Sequence, residues 1–252
     1  MDEVGALQWG IAVGVALLAG FVKGVVGFAM PMIMISGLGS VMRPELALAA
    51  LVMPTLATNA FQALRGGWRD ALASARRNAR FILIMLATIA GSAQLINVLS
   101  TRALFLIIGV PVVVFALIQL FGVRFSVPAG RRGVAEVVVG VVAGFIGGLS
   151  GVWGPPTVLY LTALDTLKAE QMRVQGIVYG LGAVMLTVAH IKSGVVNSGT
   201  ALPSAALVVP AVLGVLVGFR LSDRLDQALF RKATLVVLVV AGLNLVRRGL
   251  LS

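Results

Sequence analysis

Apolar runs long enough to cross a bilayer fill this sequence, and two of them are broken in the middle by glycine and proline. Six run without interruption: roughly Ala47–Leu64, Phe81–Leu99, Leu104–Gly122, Val174–Ile191, Ala201–Phe219 and Ala233–Val246. Two are longer and interrupted, Gln8–Met42 at "KGVVGF" and Val134–Leu164 at "GFIGGLSGVWGPP". A chain of 252 residues that is 59% hydrophobic and 12% charged, with mean hydropathy +1.04, cannot be a soluble domain. The fold class is an all-α polytopic membrane protein. Each arm of the first broken run has about 15 residues, or about 22 Å of helix, against a hydrocarbon core about 30 Å thick. The sequence therefore predicts a re-entrant helical hairpin with its tip at depth.

The net charge of +11 would point to nucleic acid in a soluble protein. Here the arginines lie between apolar runs, so they read as cytoplasmic-side markers and no nucleic-acid partner is expected. Arg65, Arg69, Arg76, Arg77 and Arg80 in an Arg65–Arg80 loop, Arg124, Arg131 and Arg132 in the next, and an Arg220–Lys232 loop fall on one side. The nearly uncharged Lys192–Thr200 loop falls on the other. Both termini are then outside the cytoplasm, and the acidic start "MDE" argues for a retained first segment rather than a cleaved signal. With no cysteine and only His190, neither a thiolate nucleophile nor a metal cluster is available, and no cofactor is expected.

The two broken runs resemble each other. "AGFVKGVVGFAMP" (Ala19–Pro31) and "AGFIGGLSGVWGP" (Ala143–Pro155) share Ala-Gly-Phe, two further glycines and the proline. "ALF" recurs at Ala103 and Ala228, and "LIQL" (Leu117–Leu120) echoes "GLNL" (Gly242–Leu245), all at an offset of about 125 residues. The chain thus reads as repeats 1–122 and 134–252 joined by a cytoplasmic linker 123–133. Each repeat is a broken hairpin plus three transmembrane helices. An odd number of crossings per half makes the second repeat inverted in topology, a signature of secondary transporters with a midplane site.

A helix that starts inside a membrane exposes unpaired N–H groups and a positive dipole end, a ready anion site. Pro31 and Pro155 suit such a restart because a proline lacks the N–H that would be orphaned there. Gly24, Gly27, Gly151 and Gly154 allow close approach of backbone to ligand, with Phe28 beside them. Gly20, Gly24, Gly140, Gly144 and Gly148 lie at four-residue spacing, which for those glycines favours helix packing. Lys23 is an ionisable residue at the first tip and so a functional candidate, or on a shorter arm a side chain that snorkels to the surface. Ser150 and Trp153 occupy the second tip, where Ser150 donates to an anion or back-bonds to its own helix and Trp153 walls the site or anchors an interface. Thr55, Asn59 and Gln62 share one helical face, and Gln171, Gln175 and Tyr179 another. Asn59, Gln62, Gln175 and Tyr179 are expected to line the same cavity. Arg173 reads as a surface anchor. No carboxylate falls in mid-span, so a carboxylate proton relay has no carrier.

In these same residues the chain resembles the TauE/SafE sulfite-exporter family, also called the toluenesulfonate uptake permease family. The carrying features are the paired Gly-rich tips with proline and "RPELALAALVMPTLATNAFQALRGG" (Arg43–Gly67), with "GPPTVLYLTAL" and "VYGLGAVMLTVAHIKSG" in the second half. Lys23 stands where many members have a small residue. The resemblance implies a plasma-membrane permease that exports sulfite or a small organosulfonate such as sulfoacetate. The expected partners are a small anion and the lipid bilayer; proton or sodium coupling and a homodimer are compatible with the sequence. The rival readings are an anion channel, a permease for a different small anion, an intramembrane enzyme and a scaffold subunit.

Overall fold

Helix succeeds helix along the chain in a computed structural model that describes residues 5–92, 101–123, 126–150, 153–192 and 197–251. The order is α1 (Ala6–Val26), α2 (Met30–Leu38), α3 (Pro44–Leu64), α4 (Trp68–Arg77), α5 (Ala79–Ser92) and α6 (Thr101–Leu120). It continues with α7 (Arg132–Ser150), α8 (Gly154–Ala163), α9 (Lys168–Lys192), α10 (Ser198–Ala206), α11 (Val208–Arg224) and α12 (Gln227–Leu251). Among the described residues there is no strand. The same succession occurs in both halves: a long helix, a break, a short helix, a long helix, a two-piece helix and a closing helix. Four helical stretches are long and apolar enough to cross a membrane, Ala6–Val26, Leu46–Leu64, Gly199–Arg224 and Gln227–Leu251. Ala79–Ser92 and Leu106–Leu120 are shorter apolar stretches.

Two compact units form, and they cut across the halves: Met1–Ala71 with Gln175–Asp226, and Leu72–Val174 with Gln227–Ser252. In the first unit, α2 folds back along α1. Met30, Met34 and Leu38 of α2 bury against Ala12, Ala16 and Ala19 of α1, joined by Ala47 and Ala50 of α3 and Ala211 of α11. Alanines at four- and three-residue spacing let the hairpin close tightly. Across the other face of α1 runs α11, and glycines are its contact. A methyl added at Gly20 would sit 2.1 Å from the Ala211 carbonyl oxygen, and one added at Gly218 would sit 2.3 Å from that of Phe21. Only glycine permits this approach, so the small-residue spacing is packing, as the sequence favoured.

Pro54 in α3 has no N–H for the carbonyl of Ala50 one turn earlier. Ser204 of α10 supplies the missing donor, 3.2 Å from that oxygen, and accepts from the Met53 amide at 3.1 Å. In the second unit, α7 crosses α5 through Gly140 and Gly144. A methyl at Gly144 would meet the Met85 carbonyl at 2.5 Å. Gly109 and Gly242 play the same part between α6 and α12. The Phe81 and Tyr160 rings stack at 4.9 Å.

Several expectations are corrected. The first break falls at Gly27–Ala29, so Lys23 is in the last turn of α1 and not in the gap. The first arm has 21 residues, about 31 Å, and the second has 9 residues, about 13 Å. Only the returning arm is short, because Ala19–Val26 continues the helix through two glycines. The Arg65–Arg80 "loop" contains α4, an amphipathic helix. The Arg220–Lys232 "loop" is reduced to Leu225–Asp226 between α11 and α12. Ala201–Phe219 is divided at Leu207, where the Pro210 ring would collide with the Ala206 carbonyl of an unbroken helix.

Candidate anion site at the first helix break

The chain reverses at three residues. Gly27 closes α1 with φ 89°, its amide 2.6 Å from the Lys23 carbonyl, and Ala29 opens α2 with φ 74°. A left-handed alanine costs about 1–2 kcal/mol, so the surroundings must hold this turn in place. Phe28, Ala29 and Met30 are all buried. Pro31 takes the second position of α2 and faces outward.

Helix breaks orphan carbonyls before them and amides after them. The carbonyls are satisfied by two glutamines. Gln62 Nε2 donates to the Gly27 carbonyl at 3.0 Å. Gln175, with its amide turned to donate, reaches the Val26 and Gly27 carbonyls at 3.1 Å each. α9 comes close enough for this because Gly176 lies against the Ala63 backbone, where an added methyl would be 2.6 Å from the amide nitrogen. Gly180 lies over Asn59 in the same way, 3.5 Å from its Cβ. Gly176 and Gly180 were missed by sequence reasoning, although their four-residue spacing beside Gln175 was a usable signal.

Lys23 is 1% exposed and its Nζ donates to Asn59 Oδ1. The ion pairs among the described residues all join other groups, and none includes Lys23. Asn59 Nδ2 and Thr55 Oγ1 are buried without a hydrogen-bond partner. They lie one turn apart on the same face of α3. Thr58, next to them, is already engaged, donating to the Pro54 carbonyl at 2.7 Å. The cluster thus holds the Lys23 amine, an amide N–H and a hydroxyl, with more donors than matched acceptors. A surplus of donors is a composition that suits an anion.

The structure therefore gathers Lys23, Gly27, Phe28, Asn59, Gln62 and Gln175 around one break, with buried Tyr179 one turn beyond Gln175. It places Gly24 elsewhere, against Gly218 of α11, where an added methyl would be 2.8 Å from the Gly218 Cα. The second break is built differently. Trp153 caps α8 and is buried, and a methyl at Gly147 would meet its Cβ at 2.9 Å. Gly154 and buried Pro155 form the first turn of α8. Ser150 ends α7; Gly151 lies outside the described residues. Arg173 is no free surface anchor: it pairs with Glu170 at 3.1 Å. Among the described residues no cluster of His, Cys, Asp or Glu could hold a metal ion.

A multi-pass helical membrane protein with a broken helix and a buried donor-rich tip has the build of a small-solute permease. The chain belongs to the sulfite exporter TauE/SafE family, whose model matches residues 12–245. That family is one of transporters rather than enzymes, and it implies a permease for sulfite or a related sulfur anion. No curated protein and no solved structure matches the chain.

Proposed function

We propose that the protein is a secondary transporter of the cell membrane that exports a small sulfur oxyanion, sulfite or an organosulfonate such as sulfoacetate. The observation that carries this reading is Lys23, a buried amine nitrogen with no carboxylate partner among the described residues, hydrogen-bonded to an asparagine whose own N–H is unmatched. A lone charge in an apolar interior is strongly unfavourable unless a counter-charge joins it. An oxyanion has both the charge and the several acceptors that Lys23, Asn59 and Thr55 call for. Its remaining oxygens would meet the first amides of α2, where the helix dipole adds to the attraction. That the second tip, with Ser150, Gly151 and Trp153, supplies a matching half of an inverted pair is part of the proposal and rests on the sequence repeat.

Arginine placement supports an orientation with the α3–α4 junction in the cytoplasm and both termini outside. The test is labelled-sulfite flux in proteoliposomes, with sulfoacetate, taurine, sulfate and chloride as competitors. Saturable flux with counterflow, inhibited by sulfonates, is expected. Conduction without saturation would identify a channel, and no flux of any of these anions would refute the reading.

A further inference from the structure

We propose that Lys23 carries the coupling proton, so that each monovalent anion crosses together with one proton. The inference rests on the permease reading and concerns the same site. Lys23 Nζ has one identified protein partner, the neutral Asn59 oxygen. Asn59 Nδ2 can only donate, and the Thr55 hydroxyl one turn away on α3 is free to donate as well, so both are available to a bound anion. Two states of this cluster are compatible with burial. In one, Nζ is a neutral amine and no anion is bound. In the other, Nζ has taken up a proton and an anion sits against the ammonium. A charged Nζ without an anion would leave a cation buried against neutral groups, which is strongly unfavourable. Proton and anion therefore favour each other's binding, and reciprocally so.

The balance is simple. On loading, a proton from water adds to the Nζ lone pair, and an anion oxygen accepts the resulting N–H. On release, the anion leaves and Nζ returns the proton to water on the other side. For a monovalent anion the loaded and empty carriers have the same net charge, so the potential does not drive the cycle, and export runs on the anion's own outward gradient against the proton's. A carboxylate relay is not needed, which fits a sequence whose spans lack mid-span acids.

The ionisable groups on the elements around Lys23 are few. α1 has no other ionisable group, and α2 and α10 have none. α3 has Glu45 at its opposite end, and Arg65 just beyond its last residue pairs with Asp223 of α11. α11 also ends in Arg220 and Arg224. α9 contributes Tyr179, with His190 and Lys192 at its far end and Lys168, Glu170 and Arg173 in its first turns, where Glu170 is already paired with Arg173 and Arg77.

The experiment uses full-length protein in proteoliposomes with an internal pH dye and a clamped potential. The probes are labelled methanesulfonate, an anion that carries no proton of its own, and labelled sulfite. Wild type should move about one proton with each methanesulfonate, driven by a pH gradient and indifferent to potential. Lys23→Arg cannot release a proton at working pH. It should keep anion–anion exchange within about tenfold while net flux falls by about a hundredfold or more. Lys23→Gln should show no proton movement with any flux that survives. Potential-driven wild-type flux without proton movement would overturn the inference and leave the permease standing. So would net, proton-coupled flux by either variant. If neither anion moves in wild type, the permease reading falls and takes the inference with it. The wild-type proton count decides the matter even where a variant fails to fold.

Discussion

The two helix breaks share a sequence pattern and differ in chemistry. At the first, Lys23 is buried beside Asn59, and two glutamines cap the end of α1. In the matching alignment the position of Lys23 is taken by Gly147, and Trp153 sits over it. Both crossings are made by glycines, Gly20 and Gly24 of α1 against α11 and Gly140 and Gly144 of α7 against α5, of which Gly20 and Gly144 match in the alignment. Both regions thus use glycine to let helices approach each other, while among the described residues the one buried basic side chain, Lys23, lies at the first break.

Substitutions can break this contrast at different points. Lys23→Met should lower sulfite flux by about a hundredfold or more while leaving the yield of folded protein within about twofold, because it replaces a buried polar tip by an apolar chain of similar length. Size-exclusion profiles beside the flux assay check both halves of that statement. Gly218→Leu should abolish folded protein, since no side chain fits between α11 and the Phe21 carbonyl. Gly147→Ala should be much milder, because its neighbour is the Trp153 side chain, which can shift.

The glutamine caps have an intermediate effect. Removing Gln62 or Gln175 alone leaves the Gly27 carbonyl one donor, so each alanine variant should lose about 1 kcal/mol of stability. The double variant strips that carbonyl of both and should lose more than the sum, read as a fall in thermal midpoint in detergent. Comparable to a single glutamine variant is Ser204→Ala, which leaves the Ala50 carbonyl beside Pro54 without its donor and should cost about 1 kcal/mol.

Much of this was legible in the sequence. Apolar run length defined the helices, and the Gly-Pro stretches located both breaks to within a few residues. Gly20 and Gly24 were readable as packing because four-residue spacing has one dominant structural meaning. What hid was anything that depends on where a helix stops. Lys23 lay in the expected gap, yet α1 continues through Gly24 because α11 packs there and makes glycine an asset. The polar stripe of Asn59, Gln62, Gln175 and Tyr179 was visible, but its division of labour was not. Whether an amide faces a ligand or a neighbouring carbonyl depends on the reversal at Gly27, which spacing alone cannot locate. The helix α4 was hidden because arginines mark a side of the membrane and say little about backbone.

The central claim is that a sulfur oxyanion binds at Lys23. Its most direct test is the thermal midpoint of purified protein titrated with sulfite, comparing wild type with Lys23→Met. At about 100 times the dissociation constant, binding should stabilise wild type by about 2.7 kcal/mol and leave the variant's midpoint unmoved. Equal shifts in both proteins would place the anion elsewhere and contradict the account.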